Sequence, residues 1–208
     1  SLIMMFALSS SLASGSLRKS VCLVLKSFSL REDDLDLFNA RKNLSNIVGR
    51  DVSNLDKSEI LRATAESASE NSVDGIFGPL FWMLLGAFGW QFSIALPGPL
   101  SLAWIYKSVS TIDSMIGYKY GCFKWLGTAG AKLEDLMTWV PCRLVLITLP
   151  LITKPWTQIP STLKAALEDG SKDLSPNSGI SEAIFAHCLG VKMGGKSFYN
   201  GQMIEKNI

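Results

Sequence analysis

Residues 75 to 106 (GIFGPLFWMLLGAFGWQFSIALPGPLSLAWIY) carry no formal charge. A helix crosses a bilayer with about 20 consecutive apolar residues, so this run is long enough to span. It is the strongest membrane signal in the chain. Pro79, Pro97 and Pro99, together with several glycines, interrupt it. Proline lacks an amide donor and crowds the preceding turn, so the expectation is one spanning helix, a turn and a second helix rather than one rod. A buried hairpin of a water-soluble protein is the alternative, and the length of this aromatic-rich run weighs against it. Only 18% of the chain is charged and its mean hydropathy is +0.24, which leans the same way.

The remaining composition excludes more than it suggests. A net charge of +2, with no basic run interleaved with aromatics, gives no footprint for nucleic acid. Cys22, Cys122, Cys142 and Cys188 stand far apart, and His187 is the sole histidine, so neither a zinc site nor a disulfide framework is expected. His187 and Cys188 are adjacent, and neighbours on a helix point about 100° apart. They read as parts of a packed helix face rather than a thiol–imidazole pair.

Along the chain, the uncharged start (SLIMMFALSSSLASGSL) reads as a helix of a longer protein, and residues 17 to 30 continue as a mixed apolar helix. Residues 31 to 74 form a charged region. In it Leu35, Phe38, Leu44, Ile47 and Val48 make an approximate helical stripe. Asp56 and Glu59 have the spacing of a capping box for the helix DKSEILRATAESASEN. On that helix Arg62, Glu66 and Glu70 follow one another at i+4 and share a face. The favoured reading is a solvated stripe with Arg62 paired to Glu66. The competing one is a magnesium ion held by the two carboxylates one turn apart, Glu66 and Glu70, with Asn71 and Asp74 just beyond.

Residues 107 to 208 combine polar loops, a second membrane segment and a C-terminal helix and turn. Asp113 and Ser114 sit in an apolar context, and Arg143 interrupts the apolar run ending near Ile152. Ionisable groups in or beside membrane helices are costly, which makes Asp113, Asp135 and Arg143 site candidates. A polar helix, STLKAALEDGSKD, then leads into LSPNSG, a turn whose amides, with Ser178 as N-cap, could form a small anion nest.

GVKMGGKS at 190 to 197 fits the P-loop spacing G-x-x-x-x-G-K-S/T. A phosphate loop needs a strand before it and a helix after it. Here an Ala- and Leu-rich helical stretch precedes the glycines, and an Asn-Gly turn follows, so a glycine-rich turn after a helix is expected instead.

Five stretches add up to a resemblance: IVGRD at 47 to 51, AESASENSVDGIFGPLFW at 65 to 82, STIDSMIGYK at 110 to 119, AKLEDLMTWVPCRL at 131 to 144, and DLSPNSGISEAIFAHCLGVKMGGKSFYNG at 173 to 201. In this order they resemble the CobD/CbiB family of cobalamin biosynthesis, the membrane adenosylcobinamide-phosphate synthases. The resemblance covers nearly the whole chain. Departures are Ser110 and Thr138 where the family usually has Asn, and Glu134 where it has Asp. Family members are longer at both ends, so one incomplete domain over 1 to 208 is expected.

The resemblance implies an all-α, multi-pass protein of the cell (inner) membrane. The implied reaction joins a carboxyl of adenosylcobyric acid to the amine of aminopropanol phosphate, or a related amino alcohol phosphate, with ATP and Mg as cofactors. Corrinoid, amino alcohol phosphate and lipid are the implied partners, along with other membrane enzymes of cobalamin assembly. Such chemistry needs acids, for which Glu66, Glu70, Asp74, Asp113 and Asp135 are the candidates, with Glu70 and Asp74 as metal ligands. Arg50 and Arg143 are the expected clamps for phosphate or carboxylate. Asp51, Asn71, Ser114, Tyr118, Ser175 and Asn177 are the remaining candidates for substrate binding. A helical membrane transport or binding protein with an intramembrane polar site is the alternative from a different class.

Overall fold

In a computed structural model, residues 2–28, 34–116, 124–173, 175–199 and 202–207 are described. Tyr118, in the stretch 117–123, lies outside them. The helices are α1 (Leu2–Ser10), α2 (Ser14–Ser27), α3 (Asp34–Leu44), α4 (Lys57–Ser72), α5 (Gly78–Gly89), α6 (Pro99–Ile116), α7 (Lys124–Thr153), α8 (Ile159–Gly170) and α9 (Ser178–Leu189). A π-helical turn, Val73–Phe77, separates α4 from α5. The described residues are overwhelmingly helical, as expected, with one antiparallel hairpin, β1 (Gly194–Tyr199) with β2 (Gln202–Asn207), after α9. The chain divides into two compact units, the first Ser1–Ser14 with Ser72–Val145, the second Gly15–Asn71 with Leu146–Ile208.

In the first unit, the long uncharged run becomes the expected pair of helices. Pro79 stands in the first turn of α5, where its missing amide costs nothing, and Pro99 opens α6. Small residues then allow α5 and α6 to approach closely. A Cβ on Gly86 would lie 2.7 Å from backbone atoms of Gly98 and Pro99, and one on Gly78 would lie 2.3 Å from the Tyr106 ring. The indole of Trp90 donates to the Leu96 carbonyl at 2.9 Å and fastens the turn between the helices. Trp82 donates to the Met137 carbonyl at 3.2 Å, tying α5 to α7.

In the second unit, Val24, Ala40, Leu44, Leu55, Ile60 and Ala63 form a buried cluster, with Phe28, Leu37, Ile47, Val48 and Val52 packed on it. Three members of the expected stripe, Leu44, Ile47 and Val48, belong here. Phe38 does not; it is 62% exposed. The capping box at the head of α4 is formed in both directions. Glu59 N donates to Asp56 Oδ1 at 2.8 Å, and Asp56 N donates to Glu59 Oε2 at 2.9 Å. The Glu59 amide and the Ser58 hydroxyl hold the Asp56 carboxyl below its ordinary value.

Helices α8 and α9 also cross through glycine: a Cβ on Gly170 would meet the Ile180 backbone at 2.7 Å, and one on Gly179 would meet the Gly170 carbonyl at 2.4 Å. His187 Nε2 lies 2.9 Å from Asp169 Oδ2, so the histidine does take part in packing, through a carboxylate on the neighbouring helix. α9 ends on Gly190 in the left-handed region, φ 67°, as a helix closing on glycine requires. The next regular element is β1. The run 190 to 197 is thus helix, glycine turn and strand, the reverse of a P-loop.

Helical stretches Lys57–Gly89 and Gly127–Thr153 are long and apolar enough to cross a membrane.

Candidate active site

The polar side chains singled out in the sequence fall into a group in each unit. In the second unit the centre is Glu66, which is 3% exposed. This overturns the solvated stripe. α4 turns Glu66 inward, where Arg50 pairs with its Oε2 and Gly194 donates its backbone N–H to Oε1 at 2.7 Å. Arg62 Nη1 stands 3.9 Å from Oε1, so the expected i+4 pair is present but is the looser one. The other arm of Arg50 donates to Ser197 Oγ on β1 at 2.6 Å. A buried carboxylate demands such partners, since an uncompensated charge away from water is costly.

Around this centre, Ser67 donates to the Ile47 carbonyl at 2.8 Å, and the Asn71 amide donates back to the Ser67 carbonyl at 2.8 Å. Asn71 is therefore turned along its own helix. Asp51 is exposed and accepts from Ser53 N at 2.9 Å, an interaction that lowers its carboxyl. Glu70 is half-buried.

The LSPNSG turn does not present an open nest. Ser175 N donates to Asp173 Oδ1 at 3.1 Å, while the amides of Asn177 and Ser178 donate to Ser175 Oγ at 3.2 and 3.3 Å. Ser178 is the first residue of α9 and Asn177 occupies the cap position, making no side-chain cap bond. The Ser175 hydroxyl does the capping expected of Ser178.

In the first unit a buried polar chain joins α6 to α7. Tyr106, fully buried, has its hydroxyl 2.9 Å from Thr138 Oγ1, and Thr138 lies 2.5 Å from Glu134 Oε1. Asp74, on the π-helical turn, acts electrostatically on Tyr106 and on buried Cys142, as does Glu134. At the other end, Asp135 of α7 acts on Asp113 of α6, and both act on Glu134. The chain thus ends on one carboxyl, Glu134, on which Asp113 and Asp135 act, while Asp74 acts on Tyr106. Ser114 is exposed and donates to the Thr111 carbonyl at 2.9 Å. Arg143 stacks over the Trp139 ring, 4.7 Å from its centroid, with Nη1 3.5 Å from the Trp139 carbonyl.

Tyr106, Glu134 and Thr138 were not among the sequence candidates. Glu134 and Thr138 entered only as departures from a motif, yet their i, i+4 spacing on an apolar helix was the available signal. No group of three or more His, Cys, Asp or Glu side chains able to hold a metal ion occurs among the described residues.

These features define a class: a helical protein, with membrane-length apolar stretches, that keeps acids and guanidiniums in buried hydrogen-bonded groups. Its family follows from comparison. The family model described as CobD/Cbib protein matches residues 1–208, and the chain belongs to that family. It is 47% identical over 171 residues to a cobalamin biosynthesis protein CobD of Synechocystis, covering 82% of this chain and 48% of that protein. The CobD protein of Pelobacter propionicus is 39% identical over 208 residues, covering 98% of this chain and 59% of that protein. The chain spans about half the length of the curated relatives it matches. No solved structure matches it.

Proposed function

We propose that the whole protein is the ligase the resemblance implies, forming an amide between a carboxyl of adenosylcobyric acid and the amine of aminopropanol phosphate, at the expense of ATP. The observation that carries the reading is the buried Tyr106–Thr138–Glu134 hydrogen-bonded chain, on which the charges of Asp74, Asp113 and Asp135 act, in a family member whose relatives are named for cobalamin biosynthesis. Buried acids among apolar helices are costly, and such cost is usually tied to function.

The amine must lose a proton before it attacks, and Asp74 is the proposed base. It stands on a π-helical turn, a feature frequent at functional sites, and its charge acts on the buried Tyr106. Magnesium carried on a phosphate needs only one or two protein carboxylates, and the Asp113–Asp135 pair would supply them. Bound magnesium would neutralise phosphate charge there. ATP is expected to activate the acid by phosphorylation, but the 190–197 turn does not fit its phosphates, and no step is assigned to that turn.

The apolar side chains of Leu84, Phe88, Ile105, Leu136, Ile147 and Ile152, exposed on α5, α6 and α7, support a multi-pass protein of the cell membrane, with lipid against those faces. The test is kinetic: full-length protein in detergent is given adenosylcobyric acid, aminopropanol phosphate and Mg-ATP, beside Asp74→Asn and Asp113→Asn. Amide formation that falls at least ~100-fold in folded Asp74→Asn supports the reading. Undiminished turnover in both variants refutes these roles.

A further inference from the structure

Both arms of the α5–α6 hairpin are shorter than the hydrocarbon layer of a bilayer, which is about 30 Å thick. α5 has 12 residues, about 18 Å of helix, and even measured from Asp74 to Gly89 the arm is only about 22 Å. On the returning arm Lys107 follows Pro99 by eight residues, about 12 Å of helix. A Cβ on Gly78 would meet the Tyr106 ring, so Lys107 stands level with the foot of α5. Were the tip to reach far water, Lys107 would lie near the middle of the bilayer, where a charge is costly.

The tip, residues 90–98, presents apolar side chains and closes its own backbone. It carries no formal charge, and Phe92 and Ile94 are 73% and 85% exposed. Irregular backbone is kept out of lipid because its polar groups go unsatisfied there. Here the donors are largely satisfied within the hairpin. The N–H groups of Trp90, Gln91, Phe92 and Ser93 donate to the carbonyls of Gly86, Phe88, Gly89 and Gly89, at 3.1, 3.0, 3.0 and 3.2 Å. Leu96 N donates to the Ser93 carbonyl and Ala95 N to the Ser93 hydroxyl, each at 3.2 Å. The Trp90 indole is bonded as well, to the Leu96 carbonyl. A turn in water has no need of such closure, since solvent serves its amides. Exposed Leu84, Phe88, Trp104 and Ile105 continue the apolar surface from the tip down both arms.

We propose that the α5–α6 hairpin enters the bilayer and turns back inside it, so that residues 90–98 lie against lipid acyl chains and do not reach the far aqueous face. The proposal rests on the membrane placement given above and is independent of the ligase chemistry. Both feet of the hairpin then open on one face of the membrane, with Asp74 before α5 and Asp113 near the end of α6. A second copy of the chain, or another part of the full-length protein, is the other cover an apolar tip could have, and the experiment separates these from lipid.

Full-length protein is reconstituted into sealed vesicles of phosphatidylethanolamine and phosphatidylglycerol, with para-acetylphenylalanine in place of Phe92 or, separately, of Ile94. A nitroxide is coupled to the ketone, which spares the native cysteines, and helicity is recorded for each variant beside wild type. Molecular oxygen concentrates in hydrocarbon and a nickel chelate stays in water, so power saturation with each reports what surrounds the tip. The expected result is strong relaxation by oxygen and none by the chelate, whether the chelate is supplied inside or outside the vesicles. Relaxation by the chelate from either side overturns the proposal, as does relaxation by neither probe, which marks a tip covered by protein. Should the label at 92 disturb the fold, the label at 94 decides on the same terms. Protein released from the vesicles by alkaline wash fails the membrane placement itself and the hairpin with it; protein that stays embedded with a chelate-accessible tip fails the hairpin alone.

Discussion

The backbone N–H of Gly194 donates to the carboxylate of Glu66 at 2.7 Å, across 128 residues of sequence. The bond fastens the start of β1 to the middle of α4, and Arg50 repeats the link by reaching from Glu66 to Ser197. A charge buried in this way holds its neighbours because each of them would be worse off without it.

Glu66→Ala removes the partner of two guanidiniums and one amide at once. Breaking a buried ion pair from one side costs about 3–5 kcal/mol, so the variant should unfold at markedly lower denaturant. Glu66→Gln keeps the acceptor oxygen without the charge and should lose less. Chemical denaturation of the purified protein, followed by far-ultraviolet circular dichroism, checks the order.

The contact of Gly78 with Tyr106 gives a second test. A methyl at 78 would enter the ring of a fully buried tyrosine already hydrogen-bonded to Thr138, so Gly78→Ala should destabilise by about 1–3 kcal/mol. Gly86→Ala should cost at least as much, because the obstacle is backbone at Gly98 and Pro99. Gly15→Ala, within α2 and with nothing near its Cβ, should be neutral or stabilise by about 0.5–1 kcal/mol. Equal effects at all three positions would contradict the packing described.

Thr138 is the middle of its chain, with a partner on either side. Thr138→Val leaves both the Tyr106 hydroxyl and Glu134 without that partner and should cost about 1–3 kcal/mol, whereas Tyr106→Phe removes one end and should cost about 0.5–1.5 kcal/mol. Denaturation midpoints of the two single variants and the double variant give the coupling between them.

Asp169 supplies a pH dependence. Hydrogen bonds from Lys172 and with His187 hold its carboxyl below the ordinary value of 3.8. A carboxyl depressed in the folded state contributes stability that is full above its unfolded value and is lost as pH falls through the folded one. The melting-temperature gap between wild type and Asp169→Asn should therefore be constant near neutrality and close on acidification below about pH 4. A gap that widens in acid would reverse the sign.

What could be read from the sequence was local. Asp56 and Glu59 are three residues apart, so their capping box follows from spacing, and Gly190 closes α9 for the same kind of reason. Pro97 and Pro99 placed the break between α5 and α6 because proline acts on its own turn. The burial of Glu66 was not legible, since its partner amide comes from a distant strand and an i+4 run of charges ordinarily faces water. That strand was itself hidden: Gly194-Gly195-Lys196-Ser197 reads as a loop until β2 pairs with it. Glu134 and Thr138 looked like substitutions in a motif, and their bond to Tyr106 depends on how α6 meets α7.

The central claim is that these buried acids serve amide ligation in the full-length protein. The most direct measurement is the mass of the corrinoid after incubation of the detergent-solubilised wild type with adenosylcobyric acid, aminopropanol phosphate and Mg-ATP. The account predicts a product heavier by aminopropanol phosphate less one water, formed only when ATP is present. Unchanged adenosylcobyric acid, recovered from a folded protein that binds both substrates, would contradict it.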